Sequence, residues 1–380
     1  MSRKKLITYL LIILTLVMIV DVRYVQSDNN LFEGLITESI EEMIKAENNF
    51  FQYNYNQDSI KAQKDGNLRL GSDFLRENKE INSFNLKNEF GSIQLQGSKN
   101  QEINIDYTLK VHAEDREAAE EFIQDLKVIY NLEGANLEIH LNRSQTDTPE
   151  LIKVVEIDYR ITVPEELQTE LRNNYGKLQV QNLKAEVNGS NRYGSTRVNN
   201  IESPVILKLA YGESRIDNLG STLEFDSSYA ENTISNIAGN LKLESAYGFN
   251  KISNLESDLE MKSRYGGAEI SSAENIEISS RYTGFTISDV EGKITADSEY
   301  GEFKLSQIED LDLELRYADV EITSLPDYEL YSYDLSTEYG DINADFAALE
   351  NRSKEKLSYQ GQRAKYEIIV NSEYGDININ

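Results

Sequence analysis

The chain has 380 residues with 66 acidic against 38 basic side chains, a formal net charge of −28 and a pI near 4.5. That balance excludes nucleic acid as a partner, because phosphate contacts need clustered lysine and arginine. The absence of cysteine excludes disulfides, thiol chemistry and lipid attachment through sulfur, and two histidines, His112 and His140, supply a triad or a zinc site poorly.

Residues 1–27 read as a signal peptide or membrane anchor. Arg3, Lys4 and Lys5 precede an uncharged, mostly apolar run from Leu6 to Val20, which Asp21 and Arg23 close. Basic residues before the run place the N-terminus inside and the remainder outside the membrane. Its length suits the apolar core of a signal peptide and is short for a full span, so cleavage after Val25, Gln26 and Ser27 and retention as an anchor both stay open. Export without disulfides fits a bacterial envelope.

Residues 28–83 are expected to form a helix and a polar stalk. Ile36, Ile40, Met43 and Ile44 lie along one side of a helix over 37–46. The stretch from Phe50 to Asn82 is polar and Asn-rich, with an aromatic cluster at Phe50, Phe51, Tyr53 and Tyr55 that either decorates the stalk or docks a partner.

Over residues 84–170 the pattern changes to alternation. Ile103, Ile105, Tyr107 and Leu109, then Leu137, Ile139 and Leu141, then Val155, Ile157, Tyr159, Ile161 and Val163 each predict a half-buried strand. Between the first two, residues 113–127 read as a helix with Ala119, Phe122, Ile123 and Leu126 on one face. An inserted helix here is a natural cap for the open end of a stacked sheet.

What it caps is a tandem repeat over residues 171–380. A tyrosine, usually followed by glycine, recurs at Tyr175, Tyr193, Tyr211, Tyr229, Tyr247, Tyr265, Tyr282, Tyr300 and Tyr317 in steps of 18 or 17, and returns at Tyr339 and Tyr374. Phe90 and Gly91, followed by Ile93 and Leu95, repeat the opening with phenylalanine in place of tyrosine. Apolar residues fall at positions 3 and 5, 8, and 12 and 14 after each tyrosine, as in Ile234, Ile237, Leu241 and Leu243 after Tyr229. Spacing of two inside each cluster means two short strands per coil, and the parity change at the tyrosine excludes one face of a helix. The fold class is therefore all-β: a parallel β-solenoid of about 18-residue coils, with the N-terminal membrane or signal helix and the small inserted helix. The parity change needs a corner, which glycine at position 1 is expected to permit. Counting rungs from Tyr175 to Tyr339 gives about nine, or on the order of 43 Å at 4.8 Å per strand.

Several rows follow from stacking. The tyrosines should stand one above another at about 4.8 Å, as packing or as an aromatic strip that sugar rings could lie against. Asn182, Asn200, Asn218, Asn236 and Asn254 at position 7 should form an amide ladder at a left-handed turn, with a ligand-binding row as the sharper alternative. Serines 227, 245, 263 and 298 at position 16 read as small partners making room for the rings. Glu224, Lys242 and Glu260 at position 13 should alternate in sign along a solvated face. Near the end, Tyr328, Tyr331 and Tyr333 crowd an enlarged coil and are the first choice for a ligand site, against the alternative of a C-terminal cap with a polar insertion over 347–362. Glu309, Asp310 and Asp312 group without a glycine-bearing loop, so calcium remains unassigned and no cofactor is implied.

The run Tyr159, Arg160, Ile161, Thr162, Val163 and Pro164, followed by Asn174, Tyr175, Gly176 and successive glycine-started rungs, resembles the bacterial β-strand repeat family described as adhesins of unknown function. The resemblance covers roughly residues 84 to 380. It implies an extracytoplasmic β-solenoid, often behind a single membrane-spanning segment, and supplies no catalytic residues. The regularity of the tyrosine row departs from the looser family pattern. Together these readings lead to a non-catalytic structural or adhesive module outside the cytoplasmic membrane, tethered through Leu6 to Val20 or secreted, with cell-wall polysaccharide or an envelope protein as partner. The alternative is a carbohydrate-binding or carbohydrate-active solenoid of the lyase or hydrolase kind, for which a departure from the repeat on one face would be the sign.

Overall fold

The computed structural model describes residues 59–78, 80–142, 150–344 and 355–380. The expected membrane or signal segment, the helix over 37–46 and the cluster from Phe50 to Tyr55 lie outside the described residues. Among the described residues no helix is long and apolar enough to cross a membrane.

The regular rungs are β10 (Val187–Ile201), β11 (Val205–Leu219), β12 (Leu223–Ile237), β13 (Leu241–Leu255), β14 (Leu259–Ala273) and the continuous β15 (Ile276–Thr323). Each pairs in parallel with the next, so residues one coil apart are in register: Val205, Leu223, Leu241, Leu259 and Ile276 form one line. Apolar residue stacks on apolar residue, and each fully buried leucine or isoleucine contributes about 1.5–3 kcal/mol before the entropy cost of ordering. The result is one continuous hydrogen-bonded ladder, folded at the tyrosines into two parallel sheets with the core on their inward faces.

How the corner is made differs from the expectation. Tyrosines 175, 193, 211, 229, 247, 265, 282, 300 and 317 themselves take left-handed backbone, with φ between 54° and 59°. None of the position-1 glycines of these rungs has positive φ. Their role is close approach: a Cβ on Gly194 would come within 1.8 Å of the Gly176 carbonyl oxygen below it. Ala230, Thr283 and Ala318 occupy the same position in other rungs, so those rungs accommodate a Cβ there. The asparagines at position 7 are left-handed as expected, with φ from 53° to 59°. A non-glycine residue there costs roughly 1 kcal/mol, which asparagine bears better than most and which tyrosine must recover by stacking.

Both ends are woven rather than sequential. At the N-terminal end β2 (Ser83–Asn88) and β3 (Ile93–Ser98) make a rung that pairs with β8 (Gln168–Asn174) and β9 (Leu178–Leu183), with the intervening chain inserted. That insertion extends both sheets. β6 (Asn136–Asn142) joins β2 in parallel and carries antiparallel β5 (Lys127–Glu133). β7 (Ile152–Pro164) joins β3 and carries antiparallel β4 (Ile103–Ala113), which carries β1 (Ile60–Leu70). The inserted helix forms at Arg116–Gln124, capped by the Asp115 carboxylate accepting from the Ala118 N–H, and buries Ala119 and Ile123 as the periodicity predicts.

β1 corrects the stalk reading for the residues described. Its inward face carries Ala62, Lys64, Gly66, Leu68 and Leu70, and two of these hide the strand from a hydropathy reading. Gly66 clears the Tyr107 ring, whose Cζ would lie 2.2 Å from an added Cβ. Lys64 donates from Nζ to the carbonyls of Ile123, Gln124 and Leu126, ending the helix where its dipole favours a cation.

At the C-terminal end chain order and rung order part. β19 (Tyr366–Ser372) lies between Leu311–Leu315 of β15 and β16 (Tyr331–Thr337), and β20 (Ile377–Ile379) lies between Val320–Ile322 and β17 (Ile342–Ala344). The last segment of the chain is therefore the penultimate rung. β18 (Lys356–Gln360) covers the outer edge of β16 in antiparallel fashion.

Candidate functional site

Eleven successive ring contacts join Phe90, the nine tyrosines from Tyr175 to Tyr317, Tyr374 and Tyr339 into one column, at 4.5–5.3 Å between centroids and within 12° of parallel. The column is on the order of 50 Å long and replaces the expected count, because Tyr374 stands between Tyr317 and Tyr339. Every interior tyrosine has a ring against each face. What the strip offers outward is ring edges and hydroxyls, whereas a stacked sugar needs an open aromatic face. That leaves the exposed terminal ring, Tyr339, as the place where a sugar could stack. Burial raises the Tyr229 hydroxyl above its ordinary pKa, with Tyr211 adding to it.

The exposed asparagine row forms the expected ladder with one break. Asn200 donates to Asn182 at 2.8 Å, Asn218 to Asn200 at 3.1 Å and Asn254 to Asn236 at 3.0 Å. Asn236 turns instead to Asp217 (2.7 Å), which also accepts from Ser235. Those bonds, Asn236 foremost, hold the Asp217 carboxyl below its usual range.

A second, buried polar seam runs inside the corner, and sequence reasoning missed it. Ser214 donates to Asn232, Asn232 to both Ser227 and Asn250, and Asn250 to Ser245, all at 2.8–2.9 Å. Asn88, Asn173 and Asn191 continue it toward the N-terminal end. The position-16 serines are thus acceptors for the seam, not only space for rings. The signal was present: Asn232 and Asn250 stand at position 3, where the pattern asks for an apolar side chain. Replacing Asn250 with alanine is expected to lower stability by about 1–3 kcal/mol by orphaning its partners, measured by denaturant unfolding.

The C-terminal tyrosines are a core cluster. Tyr331 and Tyr333 are 1% and 2% exposed, and Tyr331 donates its hydroxyl to the Ile308 carbonyl at 2.8 Å. Burial pushes the Tyr331 hydroxyl up to about 12 and Tyr333 upward as well. Only Tyr328 of the three presents surface, and Tyr359 packs beside it, donating to Glu329. As a ligand site Tyr331 and Tyr333 are corrected to cap packing, because both lie on the inward parity of β16. Tyr366 donates to Glu309, so that carboxylate serves the cap too, and no group of potential metal ligands forms among the described residues.

His112 is buried in β4. Ser59 Oγ lies 2.8 Å from Nδ1 and Glu156 Oε2 lies 3.1 Å from Nε2. Lys110 bridges Glu156 and Asp158, both at 2.6 Å, and Asp158 also accepts from Ser92. Together they tie β1, β4, β7 and the turn before β3. The His112 contact foremost, with Lys110, holds the Glu156 carboxyl at about 2 against the cost of burial.

On the outer face Glu224, Lys242 and Glu260 are in register as expected. The ion pairs form one pleat along, where Lys262 meets Glu260 at 3.5 Å and Glu244 at 3.8 Å. A trough of about 770 Å³ opens over this face, from Thr222 and Glu224 to Lys293 and Thr295.

Compared with known proteins, residues 81–380 match the model of the family described as Toastrack DUF4097. No curated protein matches. A crystal structure of a proposed cell adhesion protein from Clostridium sporogenes aligns at 11% identity over 84% of this chain and 99% of its own, with a TM-score of 0.21. One of a proposed lipid-binding protein from Parabacteroides distasonis aligns at 10% identity over 68% of this chain and 96% of its own, with a TM-score of 0.26. Likeness at that level carries no argument about function. The family match spans most of the chain and every rung of the solenoid, and the chain belongs to the Toastrack DUF4097 family.

Proposed function

We propose that this chain is a non-catalytic, extracytoplasmic structural or adhesive module of a bacterial cell envelope, tethered at its N-terminus. The observation that carries the reading is the unbroken aromatic column, because twelve stacked rungs make a stiff rod whose outer faces present side chains at one regular spacing along its length. Such a body suits spacing and multipoint contact with a repeating partner better than turnover of one small molecule. The apolar run from Leu6 to Val20 after Arg3, Lys4 and Lys5 supports export, and the charge of −28 supports a soluble exposed surface.

The test is co-sedimentation of the purified full chain with isolated bacterial cell walls and with intact cells. Saturable pelleting with walls is expected, retained when free polysaccharide of another kind is added. If the chain pellets with neither, the adhesive reading is lost.

A further inference from the structure

The trough lies where the repeat is broken. Tyr265 and Tyr282 are 17 apart, and the missing residue is in the turn: Glu274 and Asn275 separate β14 from β15, where Glu256, Ser257 and Asp258 separate β13 from β14. The shortened turn folds Asn275 over its neighbours. Its Nδ2 donates to Asp258 at 2.8 Å, its Oδ1 accepts from the Lys293 N–H at 2.9 Å, and a Cβ on Gly292 would come within 2.3 Å of that oxygen. Asn275 is thereby held as part of the wall.

The trough crosses five rungs, and each contributes a pair of side chains, one from the turn and one from the outer face of the strand. Thr222 with Glu224, Asn240 with Lys242 and Asn275 with Glu277 are three of them. The side chains of Glu224, Lys242 and Glu277 have no hydrogen-bond or ion-pair partner among the described residues, while charges one pleat along the same face are paired, as Lys262 is with Glu260 and Glu244. Polar groups thus recur every rung along a concave surface of ligand-binding size.

We propose that this trough binds a linear, uncharged glycan laid along the solenoid axis, about one sugar per rung. The inference rests on the adhesive reading and gives it a site. The rung spacing of about 4.8 Å is close to the roughly 5 Å advance per sugar of an extended β-linked chain, so each sugar falls beside the polar pair of one rung. Hydroxyl and amide groups from Thr222, Asn240 and Asn275 suit sugar hydroxyls and acetamido groups. A polyuronate is disfavoured, since Glu224, Asp258, Glu260 and Glu277 line the trough. The interior tyrosines of the column are excluded from this role by their covered faces.

The experiment titrates the full chain with the β-linked hexamer of N-acetylglucosamine and, in parallel, with a galacturonate hexamer, following heat. Lys242→Trp fills the trough from an exposed position, and Thr233→Trp places the same bulk on the other sheet. The neutral hexamer should bind the parent and the Thr233→Trp chain alike, and Lys242→Trp should weaken it at least about tenfold, the loss of one or two good hydrogen bonds, with an unchanged unfolding midpoint. Absence of hexamer binding, equal binding by Lys242→Trp, or a galacturonate hexamer that binds as tightly overturns the proposal. Wall sedimentation of the same variants separates the two readings. If Lys242→Trp pellets like the parent, the trough is wrong and the adhesive role stands, whereas a parent that does not pellet removes the adhesive role itself.

Discussion

Replacing Tyr333 with alanine lowers the stability of the C-terminal rungs by about 3–5 kcal/mol, the cost of deleting a large buried aromatic side chain. The ring is 2% exposed, sits 6.0 Å from Tyr331 and 6.1 Å from Tyr359, and lies on the inward side of β16, which sandwiches β19 against β15. Tyr331→Ala should fall in the same range and in addition frees the Ile308 carbonyl. Tyr328→Ala, at a half-exposed ring outside β16, should cost no more than about 1 kcal/mol. Because contacts in a solenoid run mainly between neighbours, the loss should appear first as faster amide exchange in β16 to β20, with β11 to β13 protected as before. A Tyr333 variant as stable as the Tyr328 variant would contradict the placement of β16 in the core.

Acid should selectively loosen the N-terminal cap through Glu156. Its carboxyl ionises at about 2 in the folded chain against an ordinary value of 4.5, because the His112 ring and the Lys110 ammonium both favour the anion. A depressed carboxylate stabilises the fold fully above its unfolded value and loses that contribution as pH falls from about 4.5 toward 2. The shift corresponds to roughly 3 kcal/mol, since one pKa unit is about 1.36 kcal/mol. Unfolding midpoints of the parent and Glu156→Gln should therefore differ most at neutral pH and converge near pH 2. Parallel curves down to pH 2 would mean that the carboxylate is no better stabilised folded than unfolded. The other acids titrate in both proteins, so the difference isolates this group.

The regular part of the solenoid was legible because its information is local and repeated. Each coil carries its own inward parity and its own left-handed asparagine, so a register of 18 places Leu223, Leu241 and Leu259 in one line without any knowledge of the rest. The ends were legible only in part. Tyr374, 35 residues beyond Tyr339, satisfies the period whether it lies beyond Tyr339 or between Tyr339 and Tyr317, and the period cannot distinguish the two. β1 was hidden because its inward residues include Lys64 and Gly66, whose fitness depends on a helix end and a tyrosine ring from elsewhere in the chain.

The candidate sites divide along the same line. Sequence alone determined the coil length, the two strands per coil, the tyrosine and asparagine rows and the inserted helix, since each depends on side-chain parity and turn chemistry within one or two coils. Tertiary structure decided which polar side chains face inward together, as Asn232 and Asn250 do. It also decided that the stacked rings cover each other's faces and that Tyr331 and Tyr333 are core. Lastly, it decided that the turn shortened by one residue sets Asn275 into the wall of a trough that crosses five rungs. Those outcomes depend on distances between residues a whole coil or more apart, which a one-dimensional period leaves undetermined.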